Sequence, residues 1–165
     1  MSRYLLAFLV LFTPLLFSER TFSLIKPDAI ESEYVGRILS IYEREGFSII
    51  GIKMCTLSKE TAKEFYHHKR KKAYFESLIE AVTEGPVIAL VLEGEDIIER
   101  ALHLKGFKDP KLAKAGTIRS NFGTSVHYNA VHGSSTLEEA EYEINYFFPE
   151  LSIGMCSGVR KILSH

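Results

Sequence analysis

One histidine of the sequence, His132, occupies a position suited to covalent chemistry. It follows a short apolar stretch, precedes Gly133, and lies just before a helix start predicted at Ser135 or Thr136. Helix N-termini attract anions, and an imidazole with an unperturbed pKa of roughly 6.5 is a competent nucleophile at neutral pH. The pattern fits attack on a terminal phosphoryl group, and it fits equally a histidine with a structural role in a turn.

Lys26 is the second residue whose position indicates chemistry. It ends a predicted strand and precedes Pro27, which favours extended geometry in the residue before it. Phosphate contacts collect at strand ends and in the turns that follow them. Lys26 is therefore either a phosphate ligand or a solvated loop lysine. The remaining histidines lie among polar neighbours or lack partners at metal-ligand spacing, so no directly bound metal is predicted.

Strands and helices alternate along the part of the chain that must position these residues. Apolar stretches predict strands over residues 21–25, 47–54, 86–92 and 129–133. Apolar residues at helical spacing predict helices near residues 35–45, 58–66, 75–82, 96–102 and 136–148. The order β-α-β-α-α-β-α-loop-β-α indicates a single α/β sandwich, in which helices cover a small sheet.

Finer expectations concern burial and helix starts. The apolar stretches at residues 47–54 and 86–92 predict buried strands, and the second predicts a central one. Ser58, an Asp96-x-x-Glu99 capping box, and a box at Ser135 or Thr136 are the expected helix starts. Residues 105–128 lose periodicity, and a long loop of this kind in a compact domain is usually functional.

Composition and charge exclude several classes of protein. The chain has 165 residues, of which 25% are charged and 46% hydrophobic, and this is the composition of one globular domain with a short appendage. A net charge of −1 argues against a general nucleic-acid-binding surface, although a local basic site is compatible with it. The two cysteines form neither a zinc spacing nor a disulfide framework.

A hydrophobic run over residues 4–17 departs from this ordinary composition. It is short for a transmembrane helix, which needs about 20 apolar residues. A preceding Arg3 and a following Ser18 resemble a signal peptide, but the sequence Leu16-Phe17-Ser18 is a poor cleavage site. The run is thus a signal, an anchor, or an upstream extension ahead of a later translation start.

The remaining sequence resembles the nucleoside diphosphate kinase family. The segments that carry the resemblance are TFSLIKPDAI, EFYHH, GPVIALVLEG, AGTIRSNF and NAVHGSSTLEEAEYEINYFF, together with the spacing between them. The match extends without an obvious gap over about residues 19–148, and NxxHGS at its distance after GTIR is highly specific. It divides the chain into the extension at residues 1–18, a kinase domain at 19–148 and a C-terminal tail at 149–165.

The resemblance implies a fold, a reaction and a set of partners. The fold is a ferredoxin-like βαββαβ sandwich with an antiparallel sheet. The reaction is ping-pong transfer of the γ-phosphate of a nucleoside triphosphate, usually ATP, to a nucleoside diphosphate, with Mg²⁺ arriving on the nucleotide. Members of the family assemble as tetramers or hexamers, and residues 106–110 lie in a loop that often mediates those contacts. The supply of nucleotides favours a cytoplasmic location over export or anchoring.

The resemblance also assigns roles to individual residues. His132 is implied as the phosphorylated nucleophile, and Glu143 as the carboxylate that orients its ring. Lys26 is implied as a ligand of the transferring phosphate, supported by Tyr66. The implied nucleotide ligands are Arg119 and Asn129, with Tyr74 at the position of an aromatic residue that stacks on the base. Stacking tolerates every base, because every base has a π-face.

The sequence departs from the family at three positions. An ungapped count puts the second phosphate-binding arginine of the family on Leu102 and its phosphate-binding threonine on Lys108, and Ser135 replaces an aspartate. Leu102 lies on an apolar helix stripe and is expected to pack inwards. Lys108, or less favourably Arg100, is expected to supply the missing cation as a point charge. Two hypotheses follow: an active kinase, or a nucleotide-binding or regulatory module on the same fold with impaired catalysis.

Overall fold

The computed structural model describes residues 19–151 of the chain. The hydrophobic run at residues 4–17 and the tail beyond residue 151 lie outside the described residues, as does one of the two cysteines, Cys156. Within residues 19–151, no helix is both long enough and apolar enough to cross a membrane.

Four strands form one antiparallel sheet in the order β2-β3-β1-β4. Their bounds are β1 Glu19–Ile25, β2 Ser48–Thr56, β3 Pro86–Gly94 and β4 Val131–Gly133. The two inner strands, β1 and β3, are those with the most buried residues, as expected for strands that have neighbours on both sides. This strand order, with helices crossing between the strands, is the ferredoxin-like sandwich that the sequence predicts.

The described residues contain seven α-helices. Their bounds are α1 Pro27–Glu31, α2 Val35–Arg44, α3 Lys59–Phe65, α4 Phe75–Thr83, α5 Ile97–Lys105, α6 Ile118–Phe122 and α7 Leu137–Phe147. Single turns of 3₁₀-helix occupy His67–Lys69, Pro110–Leu112 and Pro149–Leu151. The loop predicted over residues 105–128 therefore contains the short helix α6. The sequence did not predict this helix, because its five residues show little apolar periodicity.

Apolar clusters cover both faces of the sheet. One cluster includes Phe22 of β1, Phe65 of α3 and Phe147 of α7. The other includes Ile38 of α2 and Ile97 of α5. Burial of large apolar side chains on both faces stabilises the sandwich, because each buried side chain of this kind contributes roughly 1.5–3 kcal/mol.

The register of β1 and β4 brings the two chemically interesting residues together. Leu24 pairs with His132 and Ile25 pairs with Val131. One residue further along, the backbone N–H of Lys26 donates to the carbonyl of Ala130 at 2.9 Å. Directly opposed residues of an antiparallel pair point to the same face. His132 therefore lies on the Leu24 face, beside α3 and α7, while Lys26 begins the turn at the end of β1.

Two of the predicted helix caps form as expected. Ser58 Oγ accepts from the N–H of Thr61 at 3.1 Å, and Thr136 Oγ1 accepts from the N–H of Glu139 at 3.1 Å. Glu139 also accepts from the N–H of Ser135, the residue before the cap, at 2.8 Å. The cap is thus the Thr136 alternative, and it fixes the start of the helix that carries Glu143.

Two local predictions are wrong. The first is the capping box at Asp96. This residue precedes α5, but its φ of 48° is left-handed and its side chain accepts no capping hydrogen bond. A cap residue needs an extended backbone for its side chain to reach the helix N–H groups.

The second is the buried strand predicted over residues 47–54, which is not buried. The strand β2 is an edge of the sheet, and Ile52 and Met54 on it are each 58% exposed. An apolar stretch by itself does not indicate which strands have two neighbours.

Candidate active site

His132 is held by the side chains of a helix and of its own strand. Its Nε2 lies 2.7 Å from Oε1 of Glu143, which is fully buried on α7. The other carboxylate oxygen of Glu143 accepts from Ser134 Oγ at 2.6 Å. A carboxylate only accepts, so we assign the ring proton to Nε2. The lone pair on Nδ1 is then free to attack.

Burial keeps the ring of His132 neutral. The side chain lies among aromatic rings, with the Tyr66 centroid at 5.4 Å and the Phe65 centroid at 5.8 Å, both nearly perpendicular to it. Loss of hydration lowers the pKa of His132 to about 4, although the nearby charge of Glu143 opposes the shift. A neutral imidazole at pH 7 needs no general base before it acts as a nucleophile.

Glu143 remains ionised in this buried position. Burial would raise the pKa of its carboxyl group, but electrostatic attraction to His132 and the hydrogen bonds from His132 and Ser134 outweigh burial and lower the pKa. An ionised Glu143 accepts both hydrogen bonds, and it thereby fixes the tautomer and the orientation of the nucleophile.

Lys26 and Asn129 form the floor of the cleft beside His132. The Nζ of Lys26 donates to Oδ1 of Asn129 at 3.1 Å and also to the backbone carbonyl of His127. Asn129 in turn donates from Nδ2 to the carbonyls of Lys108 and Val126, at 2.9 and 3.0 Å. Burial lowers the pKa of Lys26 to about 8, and the charge of Arg119 lowers it further, while Asp28 opposes the shift.

Arg119 joins α6 to the strand that carries His132. Its Nη2 donates to the carbonyl of Val131 at 2.9 Å, and its Nη1 to that of Gly106 at 3.3 Å. Gly106 permits this close approach: its φ is 84°, and a Cβ there would collide with the side chain of Thr117. Only glycine fits such a backbone without strain. The guanidinium of Arg119 therefore lines the cleft from a fixed position.

Tyr66 carries the clearest unsatisfied polar group of the cleft. Its side chain is fully buried, its hydroxyl has no hydrogen-bond partner among the described residues, and the residue lines the cleft. Burial raises the pKa of Tyr66, so the phenol stays protonated. An unpartnered buried donor costs about 1–3 kcal/mol, and an anionic ligand in the cleft would satisfy it.

The mouth of the cleft is formed by an aromatic ring and a lysine. Tyr74 is 37% exposed at the start of α4, and Nζ of Lys108 lies 5.4 Å from the centroid of its ring. Leu78 and Val126 add apolar surface beside them. This end of the cleft can hold a flat ring, whereas the His132 end presents cations.

Two of the residues considered for phosphate binding lie elsewhere. Leu102 is half-buried and lines a separate surface depression with Arg100 and Phe107, and its aliphatic side chain has no donor for a phosphate. Arg100 donates to the carbonyls of Glu45 and Glu95 and lies 4.8 Å from the ring centroid of Phe47. Arg100 therefore contributes to the fold, and of the two cations considered as replacements for the family's arginine, only Lys108 lines the cleft.

Two further lysines near His132 escaped prediction from sequence. Lys69 lines the cleft, and Lys105 donates from Nζ to the carbonyl of Gly133 at 2.7 Å. Lys69 begins a basic run at residues 69–72, and Lys105 ends α5. Both are ordinary positions for solvated lysines, so the sequence carried no signal that would have distinguished them.

The described residues that line the cleft include several cations and no carboxylate. No group of three or more His, Cys, Asp or Glu side chains within residues 19–151 could hold a metal ion. A neutral imidazole nucleophile, surrounding cations, an unpartnered phenol and an aromatic ring at the mouth suit a phosphorylated, ring-containing substrate. The arrangement can accept a phosphoryl group on His132.

Comparison with known proteins agrees with this chemistry. The model of the family described as nucleoside diphosphate kinase matches residues 19–153. A nucleoside diphosphate kinase of Nitrosospira multiformis is 47% identical over 135 residues, which cover 82% of this chain and 96% of that protein. One of Anaeromyxobacter dehalogenans is 42% identical over 135 residues, covering 82% and 92%.

A solved structure agrees as well. The crystal structure of the Aquifex aeolicus nucleoside diphosphate kinase aligns with a TM-score of 0.78 at 42% identity, covering 82% of this chain and 99% of that one. These relatives are all named as kinases. None of these findings supports the alternative of a binding module with impaired catalysis.

Proposed function

The chain belongs to the nucleoside diphosphate kinase family, and we propose that His132 is the residue that carries the phosphoryl group between the two nucleotides. The observation that carries this proposal is the contact between Nε2 of His132 and Oε1 of Glu143, at 2.7 Å, beside a cleft whose described lining includes four cationic side chains and no carboxylate. This contact occupies Nε2, and we therefore propose Nδ1 of His132 as the nucleophilic atom.

In the first half-reaction, Nδ1 of His132 attacks the γ-phosphorus of a nucleoside triphosphate. The N–P bond forms as the bond from the γ-phosphorus to the β,γ-bridging oxygen breaks, and the diphosphate leaves with that electron pair. No proton moves at the ring, because Nε2–H stays on its hydrogen bond to Glu143. In the second half-reaction, a terminal β-phosphate oxygen of another nucleoside diphosphate attacks the phosphorus, the N–P bond breaks, and His132 leaves as a neutral imidazole.

The surrounding side chains position and neutralise the reacting phosphate. Lys26 and Arg119 supply positive charge beside His132, and the Tyr66 hydroxyl supplies a donor that has no other use in the described structure. Phosphoryl transfer depends mainly on such positioning and charge stabilisation. These three residues are proposed to contact the transferred group.

The outer part of the cleft is proposed to hold the nucleoside. Tyr74 offers an exposed ring for stacking on the base, which accounts for tolerance of different bases. Asn129 is proposed to contact the sugar and phosphates. Lys108 is proposed to supply the cation that Leu102 cannot, as a point charge without the bidentate geometry of arginine.

Mg²⁺ is proposed to enter with the nucleotide, held by phosphate oxygens and not by carboxylates of this chain. The described lining offers cations but no carboxylate, which suits a phosphate-bound ion. When bound, the ion would neutralise charge on the phosphates. A homo-oligomer and a cytoplasmic location are proposed from the family resemblance and from where nucleotides are supplied.

Incubation of the full chain with γ-labelled ATP tests this function. We expect label on the protein that is stable to base and labile to acid, as a phosphohistidine is. His132→Asn should abolish it, and His103→Asn, which changes an exposed histidine on α5, should not. Label that persists in His132→Asn, or never forms on the wild type, would refute the proposal.

A further inference from the structure

Lys105 lies directly behind the nucleophile. Its Nζ donates to the carbonyl of Gly133, the residue after His132, at 2.7 Å. A Cβ added to Gly133 would lie 3.5 Å from Cδ and 3.8 Å from Nζ of Lys105, so the end of the lysine side chain lies against this turn. The side chain is half-buried, and its charge is close enough to lower the pKa of His132.

Lys69 approaches the same ring from a different element. It ends the 3₁₀ turn that follows α3, and its Nζ lies 5.2 Å from the centroid of the Tyr66 ring. That ring stands perpendicular to His132 with centroids 5.4 Å apart. Lys69, from the 3₁₀ turn after α3, and Lys105, from the end of α5, therefore both act on the ring of His132.

The two lysines lie within reach of the charges of Glu143 and Glu139, which oppose the lowering of both lysine pKa values by burial, but neither lysine is paired with a carboxylate among the described residues. Within residues 19–151, neither forms a salt bridge. The carboxylate of Glu143 accepts from His132 and Ser134, and that of Glu139 accepts from the N–H of Ser135. Two partly desolvated cations thus face a neutral imidazole. Glu143 and Glu139 offset this charge only in part, so a further anion beside the two lysines is favourable.

We infer that Lys69 and Lys105 are positioning residues that stabilise the phosphorylated form of His132 in preference to the bound nucleotide. The inference rests on the proposed function of His132 as the phosphoryl carrier. Phosphorylation attaches to Nδ1 a phosphoryl group whose oxygens carry about two negative charges. Because Nε2 keeps its proton, the modified side chain has a net charge of about −1, which Lys69 and Lys105 would attract. Lys105 is not among the residues that line the cleft, so it acts across His132 and Gly133 and not on the nucleoside.

If Lys105 stabilises the phosphorylated form of His132, the equilibrium constant for phosphorylation should depend on the protonation of Lys105. Burial lowers its pKa to about 8, the charges of Arg119 on α6 and of Lys69 lower it further, and Glu143 and Glu139 on α7 oppose the shift. A phosphoryl dianion nearby would raise that pKa again. Above pH 8, formation of the phosphorylated protein would therefore take up a proton, and its equilibrium constant would fall as the pH rises.

The test measures the equilibrium between ATP plus enzyme and ADP plus phosphoenzyme, using the full chain at fixed ATP-to-ADP ratios from pH 6.5 to 9.5. We expect Lys105→Met and Lys69→Met each to lower this constant about tenfold at pH 7, as loss of a nearby charge predicts. In Lys105→Met, whose side chain is not among the residues that line the cleft, the dissociation constant of ADP from the unphosphorylated protein should change less than twofold. Lys111→Met, at an exposed position, is the matched control.

Lys105→Arg separates electrostatics from packing. Arginine keeps its charge at all pH values tested. The Lys105→Arg variant should therefore have a wild-type equilibrium constant for phosphoenzyme formation near pH 7, and this constant should fall less steeply above pH 8. The remaining decline would come from Lys26, whose pKa is also about 8. Lys69→Met makes no change at Gly133, so it keeps the test valid if Lys105→Met fails to fold.

Two results would overturn the inference while leaving the proposed function intact. One is normal labelling of His132 with an equilibrium constant within twofold of wild type in both methionine variants. The other is an equal loss of ADP binding and of phosphoenzyme, which would make the lysines ordinary nucleotide ligands. Absence of label on the wild type would overturn the proposed function and this inference together.

Discussion

Oε1 of Glu143 lies 2.7 Å from Nε2 of His132, and this contact leaves Nδ1 as the ring nitrogen with a free lone pair. The two residues come from different elements, β4 and α7, so the tautomer of the imidazole depends on how the last helix packs on the sheet. Ser134 holds the second carboxylate oxygen at 2.6 Å and prevents the carboxylate from turning away.

Glu143→Gln should lower the rate of His132 phosphorylation by about 100-fold or more, because an amide can donate to Nε2 and so favour the unreactive tautomer. A single-turnover experiment with γ-labelled ATP measures the rate. Glu141→Gln, an exposed change on the same helix, is expected to behave as wild type. Equal rates in both variants would mean that Glu143 does not set the tautomer.

The phosphorylation rate should stay nearly constant as the pH falls from 7 to 5 and should decline only as the pH approaches 4. The reason is that burial lowers the pKa of His132 to about 4, so the ring is neutral throughout that range. Single-turnover rates at each pH provide the measurement. A midpoint near 6.5 would indicate a solvated imidazole.

The same shift should make the fold less stable in acid. The folded-state pKa of His132 is below the unfolded value of 6.5, so the unfolded chain binds more protons between pH 6.5 and 4. The contribution of this group to stability is complete above pH 6.5 and is lost as the pH falls through that window. Urea unfolding at pH 7 and pH 5 of wild type and His132→Asn should show a smaller decrease in the variant.

Tyr66→Phe should separate stability from activity. Removal of the buried hydroxyl, which has no partner among the described residues, should raise the free energy of unfolding by about 1 kcal/mol. Phosphoryl transfer should fall about tenfold, as expected for loss of one hydrogen bond to a charged group. Urea unfolding and steady-state kinetics test the two halves. A less stable variant would show that the hydroxyl has a partner in the folded protein.

Lys108→Ala should lower kcat/KM for the nucleotide by about tenfold, because the variant loses the cation at the mouth of the cleft, 5.4 Å from the centroid of the Tyr74 ring. Steady-state kinetics with ATP provide the measurement. Lys111→Ala, three residues away and exposed, is the control. Transfer at the wild-type rate in Lys108→Ala would remove the compensation hypothesis for Leu102.

Arg100→Ala is expected to affect stability and not catalysis. The guanidinium binds the carbonyl of Glu45 and packs over Phe47, so its loss should lower the free energy of unfolding by about 1 kcal/mol. Transfer measured on the folded variant should equal that of wild type. A selective loss of transfer would place Arg100 at the nucleotide after all.

The sequence by itself determined the order of strands and helices, the position of His132 after a short strand, and the family. These features depend on local patterns: apolar periodicity, capping residues, and a motif of fixed spacing. It did not determine which strands lie at an edge, so β2 was predicted buried although Ile52 and Met54 on it are exposed. Edge position depends on pairing between distant segments and leaves no mark within one strand.

Only the tertiary structure decided the electrostatics of the site. It placed Leu102 and Arg100 outside the cleft and brought Lys69 and Lys105, ordinary lysines in the sequence, towards His132. A charge acts over several ångströms through whatever surrounds it, and its effect depends on burial and on neighbours far away in the chain. Residue type and spacing therefore indicated His132 as the proposed nucleophile, whereas the cations around it became visible only once the helices were packed on the sheet.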